Sequence, residues 1–165
     1  MSSSLLLPVD LYSPDQLGIV MMEIRQRVSQ LQDSSVRART SGDKEKIETA
    51  HISALLTGIL RGSGVSADDR AGLERLGKSL ELLRDKAPVV HLTLAALPNR
   101  TLKRQLIEWF RKEVSPYMLV TFTVRTDIGG GVVVRAGSRI YDFSFRQQIV
   151  GNKHRIAEIF EGVRQ

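Results

Sequence analysis

The chain contains no cysteine, which excludes a disulfide framework, thiolate zinc sites and thiol catalysis together. Aromatic residues make up only 5% of its 165 residues. A nucleic-acid platform needs aromatics interleaved with Arg/Lys on an open face, and only Tyr117 and Tyr141 stand where they would serve one. The three histidines, His51, His91 and His154, have no metal-ligand company in the sequence. No apolar run approaches the roughly 20 residues needed to span a bilayer. The opening MSSSLLLPVD has no positive n-region, so no secretory signal is expected and the protein reads as soluble and cytosolic.

What is present is an ordinary apolar content of 42% and a net charge of +6, enough for a core in one domain or two small ones. Residues 1–86 hold twelve Lys/Arg and twelve Asp/Glu, whereas residues 87–165 hold twelve and six. All of the excess charge therefore lies in the second part. The charge break coincides with a change in hydrophobic period, which predicts two modules, 1–86 and 87–165. A basic module suits an acidic partner: nucleic acid, anionic lipid or an acidic protein surface.

The first module reads as helical. Ser13-Pro14-Asp15-Gln16 supplies an N-cap, a proline at the first helical position and a Gln able to close a capping box. Leu17, Met21, Ile24, Val28 and Leu31 follow on one stripe. Asp33-Ser34-Ser35 is expected to weaken this helix and Thr40-Ser41-Gly42 to end it. A second helix is expected from near Asp43 to the Gly62-Ser63-Gly64 loop, with Ile47, Ile52, Leu55, Leu56 and Ile59 inward. Ser66 with Asp69 resembles another capping box, ahead of Leu73, Leu76, Leu80 and Leu83. Two readings of these stripes stand. Either they bury one another, or one stays partly open to receive a partner's amphipathic helix.

After Pro88 the period falls to 2. Val89–Ala96 reads as a strand and Thr101–Val114 as a helix with Leu102, Leu106, Trp109 and Phe110 inward. Ser115-Pro116 breaks that helix, and Tyr117–Thr126 alternates as a strand. A glycine-led hairpin and a final helix from Ser144 through Ile156, Ile159 and Phe160 complete a β-α-β-β-β-α order. The expected fold class is α+β, a helical N-terminal bundle followed by a small sheet carrying helices on one face.

Little in the second module suggests chemistry. A phosphate cradle at Gly129-Gly130-Gly131 would need a helix N-terminus directly after it, and a strand follows, which predicts a bulge or sharp turn. Asp127 and Asp142 lie in a turn and ahead of a helix cap, positions that favour backbone hydrogen bonding over acid/base work. Arg100, Lys103, Arg104, Arg111 and Lys112 give the 101–114 helix a basic face.

The run Ile128-Gly129-Gly130-Gly131-Val132-Val133-Val134-Arg135-Ala136-Gly137, followed by Ile140, Asp142, Ser144, Arg146 and Ile149, resembles the C-terminal signature of the F-type ATP synthase delta subunit. The likeness covers roughly residues 88–150. The family's N-terminal domain is a six-helix bundle, against about three helices here. What the resemblance implies is a non-catalytic stator component without cofactor, metal or direct nucleotide binding. It would be held peripherally at the cytoplasmic face of the cell inner membrane. The helical module would grip the N-terminal helices of the alpha subunits, for which Leu17, Met21, Ile24 and Val28 with Leu73, Leu76 and Leu80 are the expected contacts. The second module would receive the C-terminus of the stalk b subunit through Val133, Phe145, Ile149, Ile156 and Ile159. Gly130, Gly131, Gly137, Asp142 and Ser144 are assigned to shape and capping. The alternative from another class is a basic nucleic-acid-binding module.

Overall fold

A computed structural model of the chain describes residues 7–41 and 52–151, without the side chains of residues 38–41 and 147–149. The architecture is α+β: helices α1 (Pro14–Ser41), α2 (Ala54–Ser63) and α3 (Arg70–Lys86), then β1 (Val89–Leu94), α4 (Arg100–Glu113), β2 (Leu119–Val124), β3 (Gly131–Ala136), β4 (Arg139–Ser144) and the short α5 (Arg146–Gly151). The chain divides into two compact units. The helical unit comprises Met1–Pro88 with Leu106–Leu119, and the sheet unit Val89–Gln105 with Val120–Gln165. The boundary expected at 86/87 is thus corrected, because α4 and the start of β2 belong partly to each unit.

In the helical unit, α1 starts as the sequence requires. Gln16 donates its backbone N–H to Ser13 Oγ at 3.2 Å, and Gln16 Oε1 accepts from the Ser13 and Tyr12 amides. This reciprocal arrangement satisfies two donors that the helix start leaves orphaned, the Ser13 and Gln16 amides, and the Tyr12 amide just ahead of it. The weakening expected at Asp33-Ser34-Ser35 does not interrupt the helix, which runs on to Ser41. Ser34 and Ser35 donate their hydroxyls to the carbonyls of Leu31 and Gln32, so their competing groups are satisfied within the helix.

The start of α2 also differs from expectation. Ile52 lies ahead of the helix, and Ser53, in an extended conformation, caps Ala54–Ser63 by accepting the Leu56 amide. Residues 42–51, including the expected start at Asp43, Ile47 and His51, lie outside the described residues. At α3 the cap is Asp69, which accepts the Gly72 amide at 3.0 Å, not Ser66. A carboxylate at that position also meets the positive end of the helix dipole.

The four strands lie in the order β2-β1-β3-β4. β1/β3 and β3/β4 are antiparallel. Links from Thr121 to Val90 and from Arg125 to Leu94 advance together along the two strands, so β1 and β2 run parallel and the sheet is mixed. The α4 crossover between them is what a parallel pair demands.

The β3–β4 turn is the glycine-first pattern of a type II′ hairpin: Gly137 sits at φ +58 and Ser138 at negative φ. The three-glycine run is a sharp turn, as expected, and not a cradle. Gly129 closes a 3-10 turn at φ +68, and Gly131 starts β3 at φ +75. Phe145 lays its ring against Gly130 and donates its amide to the Gly130 carbonyl at 3.1 Å.

Two expectations about α4 and β4 are overturned. Leu102 and Trp109 were placed inward, yet Trp109 is 54% exposed and Leu102 is exposed too, while Ile107 is the buried residue. The apolar stripe of α4 is centred on Ile107, with Lys103, Leu106, Phe110 and Arg111 at its margins. Ser144 does not cap a helix: it ends β4, and α5 begins two residues later.

Candidate functional site

The residues expected to meet the catalytic head form the core of the helical unit. Leu17, Ile24, Leu73 and Leu80 are essentially inaccessible, Met21 and Leu76 are buried, and only Val28 is half-buried. The α1 and α3 stripes pack on one another, each fully buried Leu or Ile contributing about 1.5–3 kcal/mol. The picture of an open stripe is therefore corrected: burial against a neighbouring helix outcompetes exposure to water. Val20, equally inaccessible, belongs to the same face.

Part of the set still reaches a surface. Between α1 and α3 runs a groove of about 250 Å³ whose lining includes Met21, Ile24, Val28, Leu73 and Gly77. Its charged margins carry Arg25, Glu74, Lys78 and Glu81, and Arg25 and Glu81 form an ion pair at 2.5 Å linking the two helices. Leu17, Leu76 and Leu80 lie away from it. The groove exists partly because α3 has glycine at 77. A Cβ there would meet only Ile24 Cγ2, at an ordinary 3.6 Å. Gly77→Ala is accordingly expected to raise the stability of the helical unit by about 1 kcal/mol, from helix propensity and unfolded-state entropy, read as a higher denaturant midpoint at unchanged slope.

Two arginines hold this unit in ways that sequence reading did not pick out. Arg27 is 4% exposed on the buried face of α1. It donates through Nη2 to Asp68 at 2.6 Å and through Nε to the Ala67 carbonyl. The signal was available, since Val20, Ile24, Arg27 and Leu31 follow a four-three-four spacing. Arg111, read as part of a solvated basic face, is half-buried. It donates to the carbonyls of Leu7 and Pro8, each at 3.0 Å, and to that of Leu11, and desolvation pushes its pKa below the ordinary arginine value. No local periodicity announces a contact about 100 residues away in the chain.

In the sheet unit, Val133 is half-buried on β3 and Phe145 is 51% exposed beside the glycine turn. The side chain of Ile149, and Ile156 and Ile159 entirely, lie outside the described residues. Gly130, Gly131, Asp142 and Ser144 come together at the open end of the hairpin, whereas Gly137 lies in the turn at its other end. Gly131 is opposite Ser144 in the register, and a Cβ on it would stand 2.3 Å from the Phe143 carbonyl oxygen.

Asp142 accepts the Ser144 amide at 2.8 Å. The neighbouring Ser144, through its side chain first and then its amide, lowers the Asp142 pKa from 3.8, although only the amide is placed to donate a hydrogen bond. Asp127 is lowered by its hydrogen bond from Arg125, which it meets with both carboxylate oxygens. Both carboxylates favour the folded state above their unfolded value of 3.8, and that contribution is lost as pH falls through the lower folded values. The hairpin is thus expected to hold constant stability from neutral pH down to about pH 5 and to weaken below pH 4. Carboxylate carbon shifts of Asp127 and Asp142 across an acid titration would report midpoints below 3.8.

Among the described residues, no group of three His, Asp or Glu is placed to hold a metal ion, and no helix is long and apolar enough to cross a membrane. The chain matches no known family model and no curated protein. Geometry alone therefore has to carry the functional reading, and among the described residues it offers the α1/α3 groove, a second depression of about 430 Å³ beside α2 lined by Ile52, Leu60 and Val65, an aromatic-rich sheet edge and carboxylates committed to hydrogen bonds.

Proposed function

We propose that the chain is a non-catalytic stator subunit of an F-type rotary ATP synthase, joining the catalytic head to the peripheral b stalk so that rotation is coupled to ATP synthesis. The observation that carries the reading is the Gly130–Ser144 hairpin. It resembles the delta-subunit signature, and each of its marked residues meets a local geometric need: positive φ at three glycines, close backbone approach at Gly131, an Asx-type hydrogen bond at Asp142. The role itself needs no acid or base. A tether working against torque needs interfaces with slow dissociation, built on buried apolar contacts with a polar rim.

In this reading an amphipathic N-terminal helix of the alpha subunit enters the α1/α3 groove. Its apolar residues would meet Val28 and the open space over Gly77, and its flanks the mixed charges of Arg25, Glu74, Lys78 and Glu81. The b chain's C-terminus would dock on the sheet unit. The protein would act at the cytoplasmic face of the inner membrane as a peripheral part of the complex.

Gly77 separates this groove from its surroundings experimentally. Gly77→Leu fills the groove and is expected to weaken binding of a synthetic alpha N-terminal peptide by about 10-fold or more, whereas Gly77→Ala retains it. Wild-type affinity in the Gly77→Leu variant, with its fold intact by circular dichroism, would remove the groove from the proposal.

The nucleic-acid reading has one specific support. Phe143 is exposed alongside Tyr141, two residues apart on β4, which adds a ring beyond the Tyr117 and Tyr141 that the sequence offered. Binding that collapses between about 50 and 200 mM salt would favour it.

A further inference from the structure

Residues 7–11 cross the helical unit ahead of α1 with no helix or strand of their own. Their contacts are few and specific. Pro8 lies over Gly58 of α2, where a Cβ would come within 3.7 Å of the proline ring. Leu11 is sealed from water, whereas Leu7, Pro8 and Val9 are half-buried and Asp10 is exposed. The Leu11 amide donates back to the Pro8 carbonyl at 3.1 Å, which folds the segment into a tight turn. From α4, Arg111 grasps that turn. Its Nη1 donates to the Leu7 and Pro8 carbonyls and its Nη2 to that of Leu11.

The segment also has a fixed end. Directly after it, the Tyr12 and Ser13 amides donate to Gln16 Oε1 and belong to the cap of α1. Whatever lifts residues 7–11 therefore pivots at Tyr12-Ser13.

Arg111 is held by dipoles and not by a counter-charge. Among the described residues no carboxylate pairs with it, and burial lowers its pKa with no acidic neighbour to offset the effect. Its Nε is buried without an acceptor. A half-buried cation with neutral partners and one unsatisfied donor regains hydration on exposure. The closed arrangement thus carries a desolvation cost that an open one lacks. On the other side stand one sealed leucine and three hydrogen bonds to a single side chain. The α1/α3 packing, by contrast, keeps Leu17, Val20, Ile24, Leu73 and Leu80 out of water. The smaller set of contacts gives way first.

We infer that residues 7–11 form a strap that opens and closes over the end of α4 while α1 and α3 stay packed, with Arg111 as its latch and Tyr12-Ser13 as its hinge. Opening bares the Leu11 slot and the Arg111 guanidinium together. The closed strap hides an apolar slot beside a cation.

Amide hydrogen exchange on the full-length protein at low denaturant tests the strap. In wild type the Leu11 amide is expected to be protected, yet to exchange about 100-fold or more faster than the Leu76 and Leu80 amides of α3. Its rate should be almost independent of denaturant, because a lifted strap exposes little surface. Arg111→Met keeps an apolar stem and removes the donors, and is expected to speed Leu11 exchange about 10-fold or more. Gly77→Ala strengthens a helix that stays formed whether the strap is open or closed. It should slow Leu76 and Leu80 about 5-fold and leave Leu11 unchanged. If Leu11 exchanges with the rate and denaturant dependence of α3, or slows with α3 in Gly77→Ala, the strap is part of the cooperative core and the inference is overturned. An unprotected Leu11 in wild type, or an unchanged rate in Arg111→Met, would remove Arg111 as the latch. The wild-type and Gly77→Ala measurements decide the point even where Arg111→Met does not fold.

Discussion

Gly131→Ala is expected to destabilise the sheet unit by about 4 kcal/mol, enough to unfold much of a marginal domain. Two effects add. The residue sits at φ +75, which costs any side chain, and its Cβ would stand 2.3 Å from the Phe143 carbonyl oxygen and 3.0 Å from Ser144 Cα. Both obstacles are backbone atoms of the paired strand, so relief requires β4 to move and the Gly131–Ser144 pairing to open. Gly137→Ala provides the contrast. It has a similar φ of +58 but open space around the new methyl, so its cost is about 1 kcal/mol, backbone strain alone. Denaturant unfolding followed by amide exchange on β3 and β4 measures the difference, and equal effects of the two substitutions would mean that β3 and β4 do not approach as closely as described.

Ile24→Asp is expected to remove most of the stability of the helical unit. Ile24 is 1% exposed, and neither the Arg25–Glu81 pair nor Arg27, already held by Asp68 and Ala67, is left to neutralise a new carboxylate. Loss of the apolar side chain with burial of an unpaired charge costs about 4 kcal/mol or more. Helical circular dichroism and protease resistance report it. Since the fold itself is lost, this substitution cannot probe the groove as a contact. A variant that melts like wild type would show that Ile24 is open to water.

The elements were legible where local rules decide them. The capping box at Ser13 and Gln16, the strand alternation after Pro88 and the Gly137 turn are all set by residues within four positions of one another, and these formed as the pattern requires. The fold class followed, since helical period then strand period leaves few architectures. What local pattern could not settle was which apolar side chains stay outside. On α4, Leu102 and Trp109 are as apolar as Ile107, and only the position of the helix relative to its neighbours selects Ile107. On α1 the stripe was correct as a stripe but silent about its cover, and α3 turned out to supply it. Arg27 and Arg111 escaped notice for the opposite reason. Arginine reads as surface, yet each is held by carbonyl or carboxylate groups from distant segments. The glycine run was legible as a turn by the strand that follows it, whereas the need for glycine at 131 in particular arises from the Phe143 carbonyl twelve residues on.

The most direct test of the central claim is recovery of partners on the tagged full-length protein from detergent-solubilised native membranes, with the captured chains identified by mass. The stator account predicts alpha, beta and b chains of the ATP synthase, retained through a wash of about 0.5 M salt because the contacts are largely apolar. Capture of RNA or ribosomal proteins instead, with the synthase chains absent, would contradict it.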